Sequence, residues 1–145
     1  MSNSVYPCLW FDNQAKEAAS FYCSVFKDSK IVSENPLVVM FEVKGQQIMA
    51  LNGGPKFKFN EAMSIVVACE NQQEIDIYWN KLTANGGEES MCGWLKDKYG
   101  LSWQIVPANL NKLMSGDPAK TNKVVQAFLQ MRKFDIAKLE EAYNK

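Results

Sequence analysis

Val5-Tyr6-Pro7-Cys8-Leu9-Trp10-Phe11-Asp12-Asn13-Gln14 is an apolar run that stops at turn and capping residues, and Met63-Ser64-Ile65-Val66-Val67-Ala68-Cys69-Glu70-Asn71-Gln72 echoes it at an offset of 58 (70 minus 12). After each run the hydrophobic period changes from 2 to about 3.6, so a strand hands over to a helix. Ala15, Ala18, Ala19, Tyr22, Val25 and Phe26 form one stripe of the first helix, and Lys27-Asp28-Ser29 stops it. Ile75, Tyr78, Trp79 and Leu82 stripe the second, with Phe21 and Trp79 at the same offset of 58 (79 minus 21). Asn71 with Glu74 resembles a capping box, and Asn85-Gly86-Gly87 supplies a left-handed stop.

Beyond the first helix, short runs at 30–33, 37–43 and 46–51 read as strands, the last two joined by a tight turn at Lys44-Gly45. Beyond the second, 93–97 and 101–106 form a hairpin through Lys98-Tyr99-Gly100, whose glycine matches Gly45 at an offset of 55 (100 minus 45). The order β-α-β-β-β therefore occurs twice, and internal duplication outweighs any local propensity in choosing a fold. The expected organisation is one domain over 1–145, with module one at about 4–55, module two at about 60–107 and two C-terminal helices within about 117–145. Pro107 opens a polar linker. Asp117-Pro118 then starts a helix striped by Val125, Phe128 and Leu129, and Asp135 starts one presenting Ile136, Leu139 and Tyr143.

The composition narrows the chemistry. Of 145 residues 47% are hydrophobic, enough for a core in a chain of this size. Sixteen basic residues cancel sixteen acidic ones, which removes the charge excess of a phosphate-backbone binder, so no nucleic-acid partner is expected. The absence of histidine excludes Ser-His-Asp chemistry, Cys-His pairs and imidazole-rich zinc sites. Cys8, Cys23, Cys69 and Cys92 form no C-x-x-C pair and read as small buried hydrophobes of a reduced, cytoplasmic protein. No apolar run is long enough to span a bilayer, and the N-terminus has no signal-peptide pattern, so no membrane partner is expected.

Strand parity then selects the residues that would line a space between paired modules. Val5, Pro7, Leu9 and Phe11 belong against the helix, which leaves Tyr6, Cys8 and Trp10 on the other face. The offset of 58 pairs these with Ser64, Val66 and Ala68. In the last strand Leu101, Trp103 and Ile105 take the helix side and Ser102, Gln104 and Val106 the other, with Gln104 matching Met49 at the offset of 55 (104 minus 49). The candidate ligand-binding set is Tyr6, Cys8, Trp10, Met49, Ser64, Val66, Trp94 and Gln104. Tryptophans more often fill cores than stack on ligands, and Trp94, on a hairpin, is the best exception. Cys8 as a nucleophile lacks a neighbouring His or Lys/Arg cluster to lower its pKa, so packing is the simpler role. Gln104 needs a polar partner, whether a protein group or a ligand carbonyl. Lys96, Asp97 and Lys98 read as a solvated hairpin tip. Asn52-Gly53-Gly54-Pro55 reads as a turn, or with Lys56-Phe57-Lys58-Phe59-Asn60 as a mobile cover.

Several stretches carry a family resemblance: Pro7-Cys8-Leu9-Trp10-Phe11-Asp12, Ala50-Leu51-Asn52-Gly53-Gly54-Pro55, Phe57-Lys58-Phe59-Asn60-Glu61, and the hairpin from Cys92-Gly93-Trp94-Leu95 through Gly100-Leu101-Ser102-Trp103-Gln104. They resemble the PhnB-like proteins of the glyoxalase/bleomycin-resistance, or vicinal oxygen chelate, superfamily, whose members often carry the label 3-demethylubiquinone-9 3-methyltransferase-like. The tail from Gln130-Met131 through Asp135-Ile136 also fits. The resemblance implies an α+β fold in which paired β-α-β-β-β modules form a curved mixed sheet around a cleft, usually in a homodimer.

Enzymes of that superfamily hold a divalent metal with His, Glu or Gln at four symmetric inward positions. Here those positions are Tyr6, Met49, Ser64 and Gln104, of which only Gln104 is an ordinary ligand, so no metal is expected. No glycine pattern G-x-G sits between a strand and a helix to hold a nucleoside cofactor, so no cofactor is expected either. The expected function is binding of a small apolar or aromatic organic molecule in the cleft between the modules. The alternatives are a superfamily enzyme (lyase, isomerase, dioxygenase or the family-labelled methyltransferase), with acid-base work falling to Tyr6, Cys8 or Glu61, and a structural homodimer with a collapsed cleft.

Overall fold

A computed structural model describes residues 4–145. The chain divides between Phe59 and Asn60 into two compact units. In the first, β1 (Cys8–Phe11), α1 (Ala15–Val25), β2 (Lys30–Glu34), β3 (Val38–Val43) and β4 (Gln46–Asn52) follow one another. The second holds β5 (Ser64–Cys69), α2 (Gln72–Thr83), β6 (Glu88–Glu89), β7 (Trp94–Lys96) and β8 (Ser102–Pro107), followed by α3 (Leu110–Leu113), α4 (Pro118–Phe128) and α5 (Ile136–Asn144). Each unit carries its own four-stranded mixed sheet, in the orders β1-β4-β3-β2 and β5-β8-β7-β6. The α+β reading with two β-α-β-β-β modules holds, down to a parallel first and last strand in each sheet.

The registers show how deep the duplication goes. Cys8 pairs with Met49 across β1 and β4, and Val66 pairs with Gln104 across β5 and β8, the residues that offsets of 58 and 55 make equivalent. Lys44 and Gly45 both take positive φ, 50° and 87°, which matches the right-handed strand twist in a two-residue hairpin. Gly100 repeats the positive φ of Gly45.

The helices follow a different offset. Ala18, Tyr22 and Val25 are buried in α1, and Ile75, Trp79 and Leu82 in α2, so the equivalent pairs lie 57 apart (79 minus 22). The Phe21–Trp79 correspondence is therefore one residue out: Phe21 sits beside the stripe and Tyr22 within it. Module one has one extra residue in its strand-helix junction, absorbed at Asn13 with φ 60°. Asp12-Asn13-Gln14 and Glu70-Asn71-Gln72 thus share an acidic-Asn-Gln pattern but differ in geometry. Asn71 is the N-cap of α2, its Oδ1 accepting from the Glu74 N–H at 2.9 Å while Glu74 Oε1 accepts from the Glu70 N–H at 3.3 Å. In module one Gln14 makes no side-chain cap, and the Ala15 N–H donates instead to Oδ1 of Asn52 at the end of β4.

Three readings change at the surface of module two. β6 is a two-residue edge strand too short for any periodicity to reveal. The linker after Pro107 contains α3. The buried face of α4 centres on Val124 with Ala127 and Phe128 half-buried beside it, while Leu129 is exposed. For α5, the buried Leu139 agrees with the expected stripe.

The C-terminal segment docks on module two through several polar links. Gln72 Nε2 donates to the Phe134 carbonyl and Gln72 Oε1 accepts from the Ile136 N–H, both at 2.9 Å. Cys92 and Gly93 N–H groups donate to the carbonyls of Met131 and Arg132. Lys133 pairs with Asp76 at 2.8 Å, and its hydrogen bond, with that of Gln72, holds the Asp76 carboxyl below its usual range. Phe134 is buried against Gly93.

Candidate functional site

In both modules the helix covers one face of the sheet, and parity assigns the side chains as expected. Leu9, Phe11, Val39, Phe41, Ile48 and Ala50 are buried on the helix side of module one, as are Val67, Leu95, Trp103 and Ile105 in module two. The candidate residues from β1, β4, β5, β7 and β8 lie on the opposite, helix-free faces. On module one, Cys8, Met49 and Met40 form a row across β1, β4 and β3. On module two, Val66, Gln104 and Trp94 form the matching row across β5, β8 and β7. The candidate set thus falls into two groups, one per module. Sequence reading missed Met40, although the Lys44-Gly45 turn fixes its pairing: once Val43 opposes Gln46, Met40 must oppose Met49.

The individual placements refine the roles. Gln104 Nε2 donates to Ser64 Oγ at 2.9 Å, so the polar partner Gln104 requires is a protein hydroxyl. Tyr6 precedes β1 and is exposed. Cys8 is exposed too, which corrects the packing role; partial desolvation nevertheless raises its thiol above the usual range, keeping it protonated and a poor nucleophile. Of the four cysteines only Cys69 is buried. Trp94 is half-buried on the helix-free face, while Trp79 and Trp103 are core.

Trp10 has a structural duty. Its indole N–H donates to the Gly54 carbonyl at 2.8 Å, its ring meets Phe57 edge-on at 4.9 Å, and a Cβ on Gly53 would lie inside the indole. Phe59 packs edge-on against Phe11 at 5.3 Å. The segment from Asn52 to Phe59 is therefore tied down at both ends, and the turn reading of Asn52-Gly53-Gly54-Pro55 fits better than a loose cover. Gly53→Ala should displace the indole, cost about 1–3 kcal/mol as an overpacking change, and shift tryptophan emission to the red; emission and melting temperature identical to the parent chain would refute the clamp.

The hairpin tip also needs correction. Asp97 is 2% exposed rather than solvated. Its Oδ1 accepts from the backbone N–H groups of Tyr99 and Leu101 at 2.9 and 3.1 Å, and its Oδ2 accepts from the Trp103 indole N–H at 2.8 Å. It organises the turn between β7 and β8. Glu61, proposed for acid-base work, pairs with Lys96 at 3.1 Å. That hydrogen bond and charge hold its carboxyl below the usual range, so it stays ionised at neutral pH and cannot act as an acid there.

Neither group implied by the superfamily or the family label fits these residues. The symmetric quartet offers a phenol, a thioether, a hydroxyl and an amide, two of which already bond each other, and among the described residues no three His, Cys, Asp or Glu side chains cluster to hold a metal ion. A nucleoside cofactor needs glycines at a strand-to-helix turn, and neither the β1–α1 nor the β5–α2 junction contains one. Among the described residues no helix is long and apolar enough to cross a membrane.

Residues 3–106 match the sequence model of the 3-demethylubiquinone-9 3-methyltransferase family. A Bacillus cereus PhnB protein, described as a putative 3-demethylubiquinone-9 3-methyltransferase, is 34% identical with a TM-score of 0.67, the match covering 73% of this chain and 100% of that one. A Pseudomonas aeruginosa protein shares the fold at 20% identity and a TM-score of 0.60, over 73% of this chain and 98% of that one. So does a fosfomycin resistance protein of Listeria monocytogenes, solved with Mn(II) and sulfate, at 14% identity and a TM-score of 0.60, over 79% of this chain and 96% of that one. No sequence among the curated proteins matches. Family match, identity and fold agree: the chain belongs to the PhnB-like, 3-demethylubiquinone-9 3-methyltransferase family.

Proposed function

We propose that this protein binds a small apolar or aromatic organic molecule on the helix-free faces of its sheets, without a metal. The observation that carries the reading is the pair of equivalent rows, Cys8–Met49–Met40 and Val66–Gln104–Trp94. The first presents thiol and thioether surface, the second aliphatic and aromatic surface with one polar group, Gln104, oriented by Ser64. A mostly apolar lining with few placed polar groups is the usual composition of a small-molecule site. The protonated Cys8 and the ion-paired Glu61 favour retention of a ligand over its turnover.

Thermal shift against neutral aromatics such as indole and 1-naphthol tests the reading. A ligand at a hundred times its dissociation constant adds about 2.7 kcal/mol to native stability. Gln104→Ala should weaken the response about tenfold with little change in the ligand-free melting temperature. Trp10→Ala should lower that temperature as well, because the indole also holds Gly54. No shift with any compound, or a response indifferent to Gln104→Ala, would overturn the proposal.

A further inference from the structure

Module two has a cavity of about 250 Å3 at the corner where β6, β7 and β8 meet the segment before β5. Its walls include Trp94, Lys96, Ser102, Glu61, Glu88 and Glu89. Register explains the convergence. Glu88 pairs with Lys96, Lys96 with Ser102, and Ser102 with Ser64, so these four stand in one row on the helix-free face. Glu89 is one position out of phase, and its carboxylate accepts the Trp79 indole N–H at 2.6 Å from the helix side.

One group in that wall has unmet bonding capacity, and a second is a charge without an ion-pair partner among the described residues. Ser102 is 1% exposed, and its hydroxyl has no hydrogen-bond partner. A buried hydroxyl in that state costs stability, and it is uncommon enough in a native protein to require a reason. The second is the Glu88 carboxylate, which is exposed at the rim and makes no ion pair among the described residues. Lys96 does not satisfy it, because its ammonium is drawn to Glu61 at 3.1 Å. The lining therefore carries three carboxylates against one ammonium.

We infer that this cavity binds the ammonium group of a small organic amine, with the body of the amine on Trp94. The inference rests on the small-molecule reading above and adds the chemical class of the ligand. Both groups accept hydrogen bonds, and a primary ammonium has three N–H donors, enough to reach the buried Ser102 hydroxyl and the rim carboxylate of Glu88 together. The excess negative charge favours a cation, and an indole face favours one further. Access to Ser102 requires movement of its register neighbour Lys96, whose side chain is 36% exposed and whose partner Glu61 is 64% exposed. Pairs this exposed hold little. The volume equals that of roughly eight waters at about 30 Å3 each, which suits a molecule the size of benzylamine.

Titration calorimetry with benzylamine, benzyl alcohol and benzoate tests this. Benzylamine should bind at least tenfold more tightly than either of the others, and Glu88→Gln and Ser102→Ala should each remove most of that preference. Ser102→Ala should at the same time leave the melting temperature unchanged or raised, since it deletes an unsatisfied buried oxygen, so loss of binding cannot be ascribed to unfolding. Equal binding of amine and alcohol, or amine binding indifferent to both substitutions, overturns the inference. If indole and 1-naphthol then still bind through Gln104, the small-molecule reading survives without it; if they too fail, both fall.

Discussion

Asp97→Asn will destabilise the protein almost as much as Asp97→Ala, by about 3–5 kcal/mol, although the amide is nearly isosteric with the carboxylate. Each hydrogen bond to a buried charged acceptor contributes about 1.5–3 kcal/mol, and the Asp97 carboxylate accepts from donors at both oxygens: two backbone N–H groups on Oδ1 and the Trp103 indole on Oδ2. An asparagine presents one oxygen and one NH2. Whichever way it is turned, the NH2 faces a donor, and one orientation leaves both backbone groups unpaired. Chemical denaturation of both variants checks the expectation. A loss below about 1 kcal/mol for Asp97→Asn would show that the turn does not depend on the second carboxylate oxygen.

Gly93→Ala is expected to cost a similar amount for an unrelated reason. Gly93 has φ 82°, where a side chain is strained, and a Cβ there would stand 2.5 Å from the Phe134 ring and 2.9 Å from the Ile105 carbonyl oxygen. Left-handed backbone costs an L-residue about 1–2 kcal/mol and overpacking about 1–3 kcal/mol more. The two sources can be separated. Phe134→Ala alone should be strongly destabilising, because the ring is buried, but in its presence the further loss from Gly93→Ala should shrink, since the ring clash is gone. Strict additivity of the two losses would mean that the alanine is accommodated without touching the ring.

How much of this was legible in the sequence depended on which regularity carried it. Strand parity and the two offsets were enough to place Leu9 and Phe11 under the helix, to put Cys8 and Gln104 on the opposite face and to match Met49 with Gln104, because a buried face fixes register in steps of one residue. The repeated acidic-Asn-Gln junction pointed to the right topology through a misleading likeness, since the two helices start one residue out of step. Asp97 was unreadable. It lies between two lysines, and only the folded hairpin brings the Trp103 indole and two backbone N–H groups around it. The pairing of Ser64 with Gln104 and the Lys96–Glu61 bridge depend on side-chain reach across strands, which spacing does not encode. β6 is too short for a pattern, so Glu88 had no strand to place it on.

The unequal capping of α1 and α2 bears on how the halves could be separated or recombined. The second helix brings its own cap in Asn71, so its start travels with its local sequence. The first borrows its cap from Asn52, 37 residues ahead of Ala15, and that asparagine also donates to the Pro36 carbonyl at 3.0 Å. A symmetric chain built by copying one half is therefore better seeded from the second, whereas any excision or permutation that parts α1 from the end of β4 leaves an amide at its start without its acceptor.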